Sequence, residues 1–232
     1  MTAEPGGPGR PGEGRAGRRQ RGQRAGLDRQ AVIDAARALA PRAITMQAVA
    51  DELGVDRKAL HHHVRSREAL VKMVAADLFT SSFDSARLQQ DGDWRQVCTD
   101  FARACVDSLV ATGELAGCVS LADPLDPVVV RPVEVALDAL LAAGFDEECA
   151  ARGVTALTFL CVGLAQERLR HRRSGQDSGL ANLRRALADC DDAAHPTLRR
   201  VVEVGHAQGD EAQLAMNLRL FLLGMQQMLD QP

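Results

Sequence analysis

An all-α fold is the class that this 232-residue sequence predicts, and three observations predict it. Alanine and leucine, both strong helix formers, are abundant, while aromatic residues make up 3% and tyrosine is absent. Apolar residues recur at the i, i+3, i+4, i+7 spacing of amphipathic helices, and no stretch alternates as a strand does. Capping residues, glycines and prolines fall where such helices need starts and stops.

The first 26 residues form a different kind of sequence. Pro5, Pro8 and Pro11 sit among glycines, and Arg10, Arg15, Arg18, Arg19, Arg21 and Arg24 face just two acids, Glu4 and Glu13. Such a segment has too little apolar surface to offset its ordering entropy, which predicts a disordered basic arm over residues 1–26. Beside a DNA-binding unit the arm would add phosphate contacts or enter a minor groove; otherwise it is a solvated tail.

From Leu27 the pattern turns helical. Asp28 caps a helix carrying Val32, Ala35, Ala36 and Leu39, closed by Pro41. Thr45 caps a short second helix with Met46, Val49, Ala50 and Leu53, and Gly54 supplies its left-handed stop. Asp56 caps a third, with Ala59, Leu60 and Val64 inward, and Ser66 a fourth that runs toward Phe83. Further helices are predicted over 94–110, 131–143, 147–170, 195–206 and 210–229. Breaks fall at Gly113 and Gly117, a loop at 123–127, a turn at Gly144-Phe145, and a polar connection over 171–178.

Charge divides the chain in the same place. Residues 1–75 carry 14 Arg/Lys against 8 Asp/Glu, and the remainder 14 against 23. A basic front on an acidic body fits a nucleic-acid-binding unit over 27–75 joined to a helical domain over 76–232 that does not touch nucleic acid. No apolar run reaches the ~20 residues of a membrane-spanning helix, and the N-terminus lacks a signal sequence, which predicts a cytoplasmic protein without a membrane partner. The six cysteines (98, 105, 118, 149, 161 and 190) show no C-x-x-C spacing and read as buried reduced thiols.

The stretch that carries chemistry is Thr45–Val64. A short helix, a glycine turn and a capped second helix make a helix-turn-helix, whose second helix enters the major groove of duplex DNA. Arg57, Lys58, His61 and His62 form the polar face of that helix, and Arg or Lys to guanine is the commonest specific base contact. The consecutive His61, His62 and His63 point about 100° apart on a helix, so they do not converge on a metal ion. No metal or cofactor is expected.

The run Ile44-Thr45-Met46-Gln47-Ala48-Val49-Ala50-Asp51-Glu52-Leu53-Gly54-Val55, followed by Ala59-Leu60-His61-His62-His63-Val64-Arg65-Ser66-Arg67-Glu68-Ala69-Leu70, resembles the tetracycline-repressor (TetR) family. The resemblance covers residues 28–75. It continues more weakly through Gly92-Asp93-Trp94-Arg95, Ala142-Ala143-Gly144-Phe145, the helix at His195-Pro196 and the helix over 220–228. It implies a DNA-binding domain followed by a ligand-binding and dimerisation domain. Gln47, Arg57, Lys58 and His61 match positions that contact bases or the adjacent backbone, and Thr45, Met46, His63 and Arg67 match positions near phosphates. His61 stands where the family usually has tyrosine, and Arg67 where it has lysine.

The same resemblance implies an unidentified small-molecule effector, a homodimer and a double-stranded DNA operator, with repression the expected mode. Trp94, Phe101, Cys105, Phe159, Val162 and Gln166 lie on the helices that line the family's pocket, or else are ordinary core. Glu167, Arg170, His206 and Asn217 are further polar candidates. Leu214, Leu218, Phe221, Leu222, Met225 and Leu229 form one apolar stripe, and Leu198, Val201 and Val202 another. Each stripe is either a dimer interface or intramolecular core. No Ser-His-Asp, Cys-His or paired-carboxylate arrangement stands out, so the chain reads as no enzyme. The other readings are a helical enzyme or sequestering protein with a vestigial DNA domain, and a DNA-binding protein that signals through a partner protein.

Overall fold

The computed structural model describes residues 27–83, 88, 92–119, 127–174, 178–191, 193–205 and 209–230. The basic segment 1–26, the loop at 123–126 and His206 lie outside the described residues. Those residues contain ten α-helices and no strand. They are α1 (Arg29–Arg37), α2 (Met46–Leu53), α3 (Arg57–His61), α4 (Arg67–Ser82), α5 (Trp94–Thr112), α6 (Pro127–Ala142), α7 (Glu147–Ser174), α8 (Ser178–Ala188), α9 (Pro196–Val204) and α10 (Glu211–Leu229). A 3-10 turn at Pro41–Ala43 precedes α2, and another, Gly113–Cys118, follows α5.

Two apolar cores organise them. The N-terminal core gathers Val32 and Ala36 of α1, Val49 and Ala50 of α2, Leu60 and Val64, and Leu70, Val74 and Ala75 of α4. The second is built on α5, which is buried on most of its circumference and packs against α4, α6 and α7. α4 joins the cores. Its first half contributes Leu70 and Val74 to one and its end contributes Phe79 and Phe83 to the other, so the expected division at 75/76 falls inside a continuous helix.

Several boundaries differ from expectation, each for a physical reason. α6 starts at Pro127, not Arg131, because proline at the first helical position loses no hydrogen bond. α7 runs to Ser174, so the polar connection expected from His171 begins later. His171, Arg172 and Arg173 sit in its last turn, where positive charge favours the helix C-terminus. α9 is Pro196–Val204 and ends at Gly205 with φ +63°. The sequence reading missed α8, whose Leu180 and Leu187 make a small separate core with Val202 of α9.

α7 also corrects the hydropathy reading. Over Glu147–Arg173 it is long and apolar enough to cross a membrane by length and composition. Ala150, Val154, Leu157, Cys161, Leu164 and Ala165 are nevertheless buried in the second core. Of the cysteines, Cys98, Cys105 and Cys161 are buried, Cys118 and Cys149 half-buried, and Cys190 exposed; all six are free thiols.

Candidate nucleic-acid interface

The helix-turn-helix is assembled by three side-chain caps and one glycine. Thr45 Oγ1 accepts a hydrogen bond from the Ala48 amide (3.1 Å), Asp56 Oδ1 from the Lys58 amide (2.7 Å) and Ser66 Oγ from the Ala69 amide (3.1 Å). Each satisfies an amide that the first turn of a helix leaves without a partner. Between α2 and α3, Gly54 sits at φ +64°, ψ +30°, and the Val55 amide reaches back to the Ala50 carbonyl (3.0 Å). That is a left-handed helix stop, and it redirects the chain into α3. Leu60 and Val64 then dock α3 on the core formed by Val49, Ala50 and α1.

Burying that apolar side leaves the polar side outward. Thr45, Gln47, Arg57, Lys58, His61, His62, His63 and Arg67 are all exposed. The Thr45 oxygen accepts at the cap, so its hydroxyl proton is available to a phosphate oxygen. Gln47 Nε2 donates to Asp51 Oδ1 (2.8 Å) one turn along α2, an exposed contact that is readily exchanged. Arg57 and Lys58 occupy the first turn of α3. Arg67 Nε donates to the Ile44 carbonyl (2.8 Å), which ties the start of α4 to the residue before the Thr45 cap and leaves the two terminal amino groups for other partners. Met46, matched by resemblance to a phosphate-proximal position, is buried in the N-terminal core, so it supports the motif from beneath.

The residues expected at a ligand pocket separate into two groups. Trp94, Phe101 and Cys105 lie on one buried face of α5. Trp94 stands edge-on to Phe145, with ring centroids 5.2 Å apart, and carries the Arg95 guanidinium over its ring; Phe101 meets Phe83 at 6.4 Å. On α7 the register points otherwise. Leu157, Cys161 and Leu164 face the core, which turns Phe159 (69% exposed) and Gln166 to the surface and leaves Val162 half-buried. Glu167 pairs with Arg170 at that helix's surface, and Asn217 accepts from Gln213 within α10. Burial, with a smaller push from Asp93, raises the Cys98 thiol to about 12. A hydrogen bond with Cys105, together with burial, raises the Cys161 thiol as well.

The dimer stripes are likewise redistributed. Leu214, Leu218 and Met225 are buried in the chain's own core, with Phe221, Leu222 and Leu229 packed at its edge. Val202 is buried against α8, while Leu198 and Val201 are exposed. Besides Leu198, Val201 and Val204 of α9, open apolar surface lies on the other sides of α7 and α10: Phe159 and Leu160, and Met216, Leu220, Leu223 and Met228. A groove of about 500 Å³ runs between these helices, lined by Cys149, Gly153, Ala156, Leu220, Gly224 and Met228 among others. Sequence reasoning missed this face because both sides of α10 are apolar, and periodicity does not say which side the chain itself covers.

A capped helix-turn-helix with a cationic second helix, set on an all-helical body, defines a DNA-binding transcriptional regulator. Comparison with known proteins specifies which kind. The model of the tetracyclin repressor-like C-terminal domain matches residues 88–229, and the chain belongs to that family. Its members are ligand-responsive transcriptional repressors that act as dimers on operator DNA. The chain is 23% identical over 206 residues to the tetracycline repressor protein class C of Escherichia coli, covering 87% of this chain and 92% of that one. In fold it is similar to ActR of Streptomyces coelicolor in complex with actinorhodin, with a TM-score of 0.71 and 20% identity over 87% of this chain and 96% of that one. A tetracycline repressor variant from Acinetobacter baumannii in complex with minocycline aligns with a TM-score of 0.62 and 20% identity, over 88% of this chain and 99% of that one.

Proposed function

We propose that this regulator is a cytoplasmic, non-enzymatic repressor that binds a palindromic operator as a homodimer and is released by a small molecule. Residues 27–75 are its DNA-binding unit and 76–232 its effector and dimerisation unit. Arg57, Lys58, Gln47 and His61 read base edges and the adjacent backbone. Thr45, His62, His63 and Arg67 hold phosphates, Thr45 and Arg67 as hydroxyl and guanidinium donors. The observation that carries this reading is the exposure of all eight side chains around a helix-turn-helix whose apolar side is fully packed. Two copies of α3 in one dimer match the two half-sites of a palindrome.

The test is a gel shift against the DNA flanking the chain's own gene. Arg57→Ala combined with Lys58→Ala removes specific binding, because bidentate base contacts are worth about 1–3 kcal/mol each. Binding by the unsubstituted protein falls steeply with salt as phosphate counterions are released. Undiminished operator affinity in the double variant would sink the assignment.

A further inference from the structure

Three sulfur atoms line the groove between α7 and α10. Cys149, in the first turn of α7, directs its thiol at the thioether of Met228 on α10, and the two sulfurs are 3.9 Å apart. Met225, one turn before Met228, lines the same groove. Gly153 lets it approach. A Cβ at that position, one turn after Cys149 on the same face of α7, would stand 2.7 Å from the Met225 methyl carbon and 3.1 Å from its sulfur. With no Cβ there, the second thioether rests against α7 beside the turn that carries the thiol.

The grouping sets Cys149 apart from the chain's other thiols. Cys98, Cys105 and Cys161 are buried in the second core, where a hydrated ion has no path, and Cys190 bonds the Ala186 carbonyl of its own helix at 3.3 Å. Cys149 instead opens on a groove of about 500 Å³. It is half-buried, Met225 is buried and Met228 is exposed, so the sulfurs run from the floor of the groove to its rim.

Donor chemistry selects the ion. A thiolate and two thioethers are soft ligands of the kind that take copper(I), whereas zinc combines thiolate with imidazole or carboxylate. Among the described residues no histidine lines the groove. At a metal–sulfur bond of about 2.3 Å, three sulfurs in a plane stand about 4 Å apart, which the Cys149–Met228 separation already meets. Charge balances too. The thiol proton leaves to solvent, and thiolate with a monovalent cation makes a neutral complex that an apolar groove accepts. Asp146 and Glu148 stand exposed beside it. Asp146 Oδ1 accepts from the Cys149 amide at 2.7 Å, which fixes the turn that carries the thiol, and Glu148 pairs with Arg152 at 2.7 Å.

We propose that Cys149, Met225 and Met228 form a copper(I) site in which one thiolate and two thioether sulfurs hold a single ion. The site goes beyond the function proposed above and does not depend on it, because all three ligands belong to one chain and lie away from the helix-turn-helix.

The test is an anaerobic titration of the full chain, without DNA, against the coloured copper(I) complex of bicinchoninate, with ascorbate keeping the copper monovalent. The parent chain withdraws one equivalent of copper(I). Cys149→Ser withdraws none, and Cys190→Ser behaves as the parent. Met225→Leu with Met228→Leu, a volume-conserving change that the fold tolerates, weakens binding at least tenfold. Zinc(II) at the same concentration does not displace the copper. No withdrawal by the parent, full withdrawal by Cys149→Ser, an undiminished affinity in the leucine pair, or displacement by zinc overturns the proposal. X-ray absorption at the copper edge gives a second readout: the bound ion shows three sulfur neighbours, and nitrogen or oxygen in that shell overturns the assignment as well. Operator gel shifts are read separately, so a failure of DNA binding and a failure of copper binding are distinguishable.

Discussion

At Gly54 the conformation alone decides. A Cβ added there would meet nothing within 4 Å, so the requirement for glycine comes from its φ of +64° and not from space. Gly54→Ala lowers stability by about 1–2 kcal/mol, the cost of placing an L side chain in the left-handed region, and thermal melting measures it. Thr45 carries its cap and its proposed phosphate contact on one hydroxyl, so substitution tests them together. Thr45→Ser keeps both, whereas Thr45→Ala loses about 1 kcal/mol of cap and the proposed phosphate donor with it. The thiols are sorted by burial. With its folded-state value raised to about 12, Cys98 remains protonated and unalkylated by iodoacetamide at pH 8, while exposed Cys190 reacts; peptide mass mapping distinguishes them. The sign of the pH dependence follows. Because the native state holds the Cys98 proton more tightly than the unfolded chain, that contribution is complete below pH about 9 and is lost as pH rises through about 12. Urea midpoints that rise between pH 9 and 11 would contradict it.

Among the elements, what was legible in the sequence depended on whether local chemistry decides the outcome. α1 to α4 were readable because Asp28, Thr45, Asp56 and Ser66 each bond an amide at a helix start, and Gly54 marks a helix stop. α8 was hidden because a Ser/Gly/Asp-rich approach reads as a connection, and its two buried leucines gain meaning only beside Val202 of α9. In the same way the exposure of the eight polar residues proposed to contact DNA follows from one motif. Phe159 was assigned inward because helical periodicity fixes a residue's angle to its neighbours, not which side meets α5. α7 and α10 now offer a specific expectation. Their open apolar faces, with Phe159 and Leu160 on α7 and Leu220 and Leu223 on α10, are the surface we propose for the homodimer. Leu220→Glu with Leu223→Glu places charge in that contact and yields a monomer by sedimentation velocity, while the far-ultraviolet dichroism stays helical. Leu214→Glu instead unfolds the chain, because Leu214 is buried within it. A dimer that survives the paired glutamates would move the interface elsewhere.

At the scale of the whole molecule, the two cores are mechanically joined by α4 and by the turn after α5. Leu115 of that turn is buried in the N-terminal core with Leu70, Val71 and Val74, although its neighbours in sequence belong to the effector unit. The adjacent Arg42–Glu114 pair is exposed at 3.4 Å, so the apolar contact supplies most of the coupling. Any rearrangement of α5 therefore reaches the base of the helix-turn-helix through Leu115 and α4. A coupling of this kind shifts DNA affinity when a ligand binds one arrangement more tightly than the other. Truncating Leu115 isolates the link from the ligand and the DNA alike. Leu115→Ala costs the N-terminal core about 2–5 kcal/mol, as for other buried leucines. Because α5 and α7 keep their own contacts, the loss is local. Amides of α1 to α3 exchange faster with solvent, those of α5 and α7 remain as protected as in the parent chain, and one thermal transition resolves into two. Uniform loss of protection through both cores would show instead that they unfold as a single unit, with α4 alone sufficient to join them.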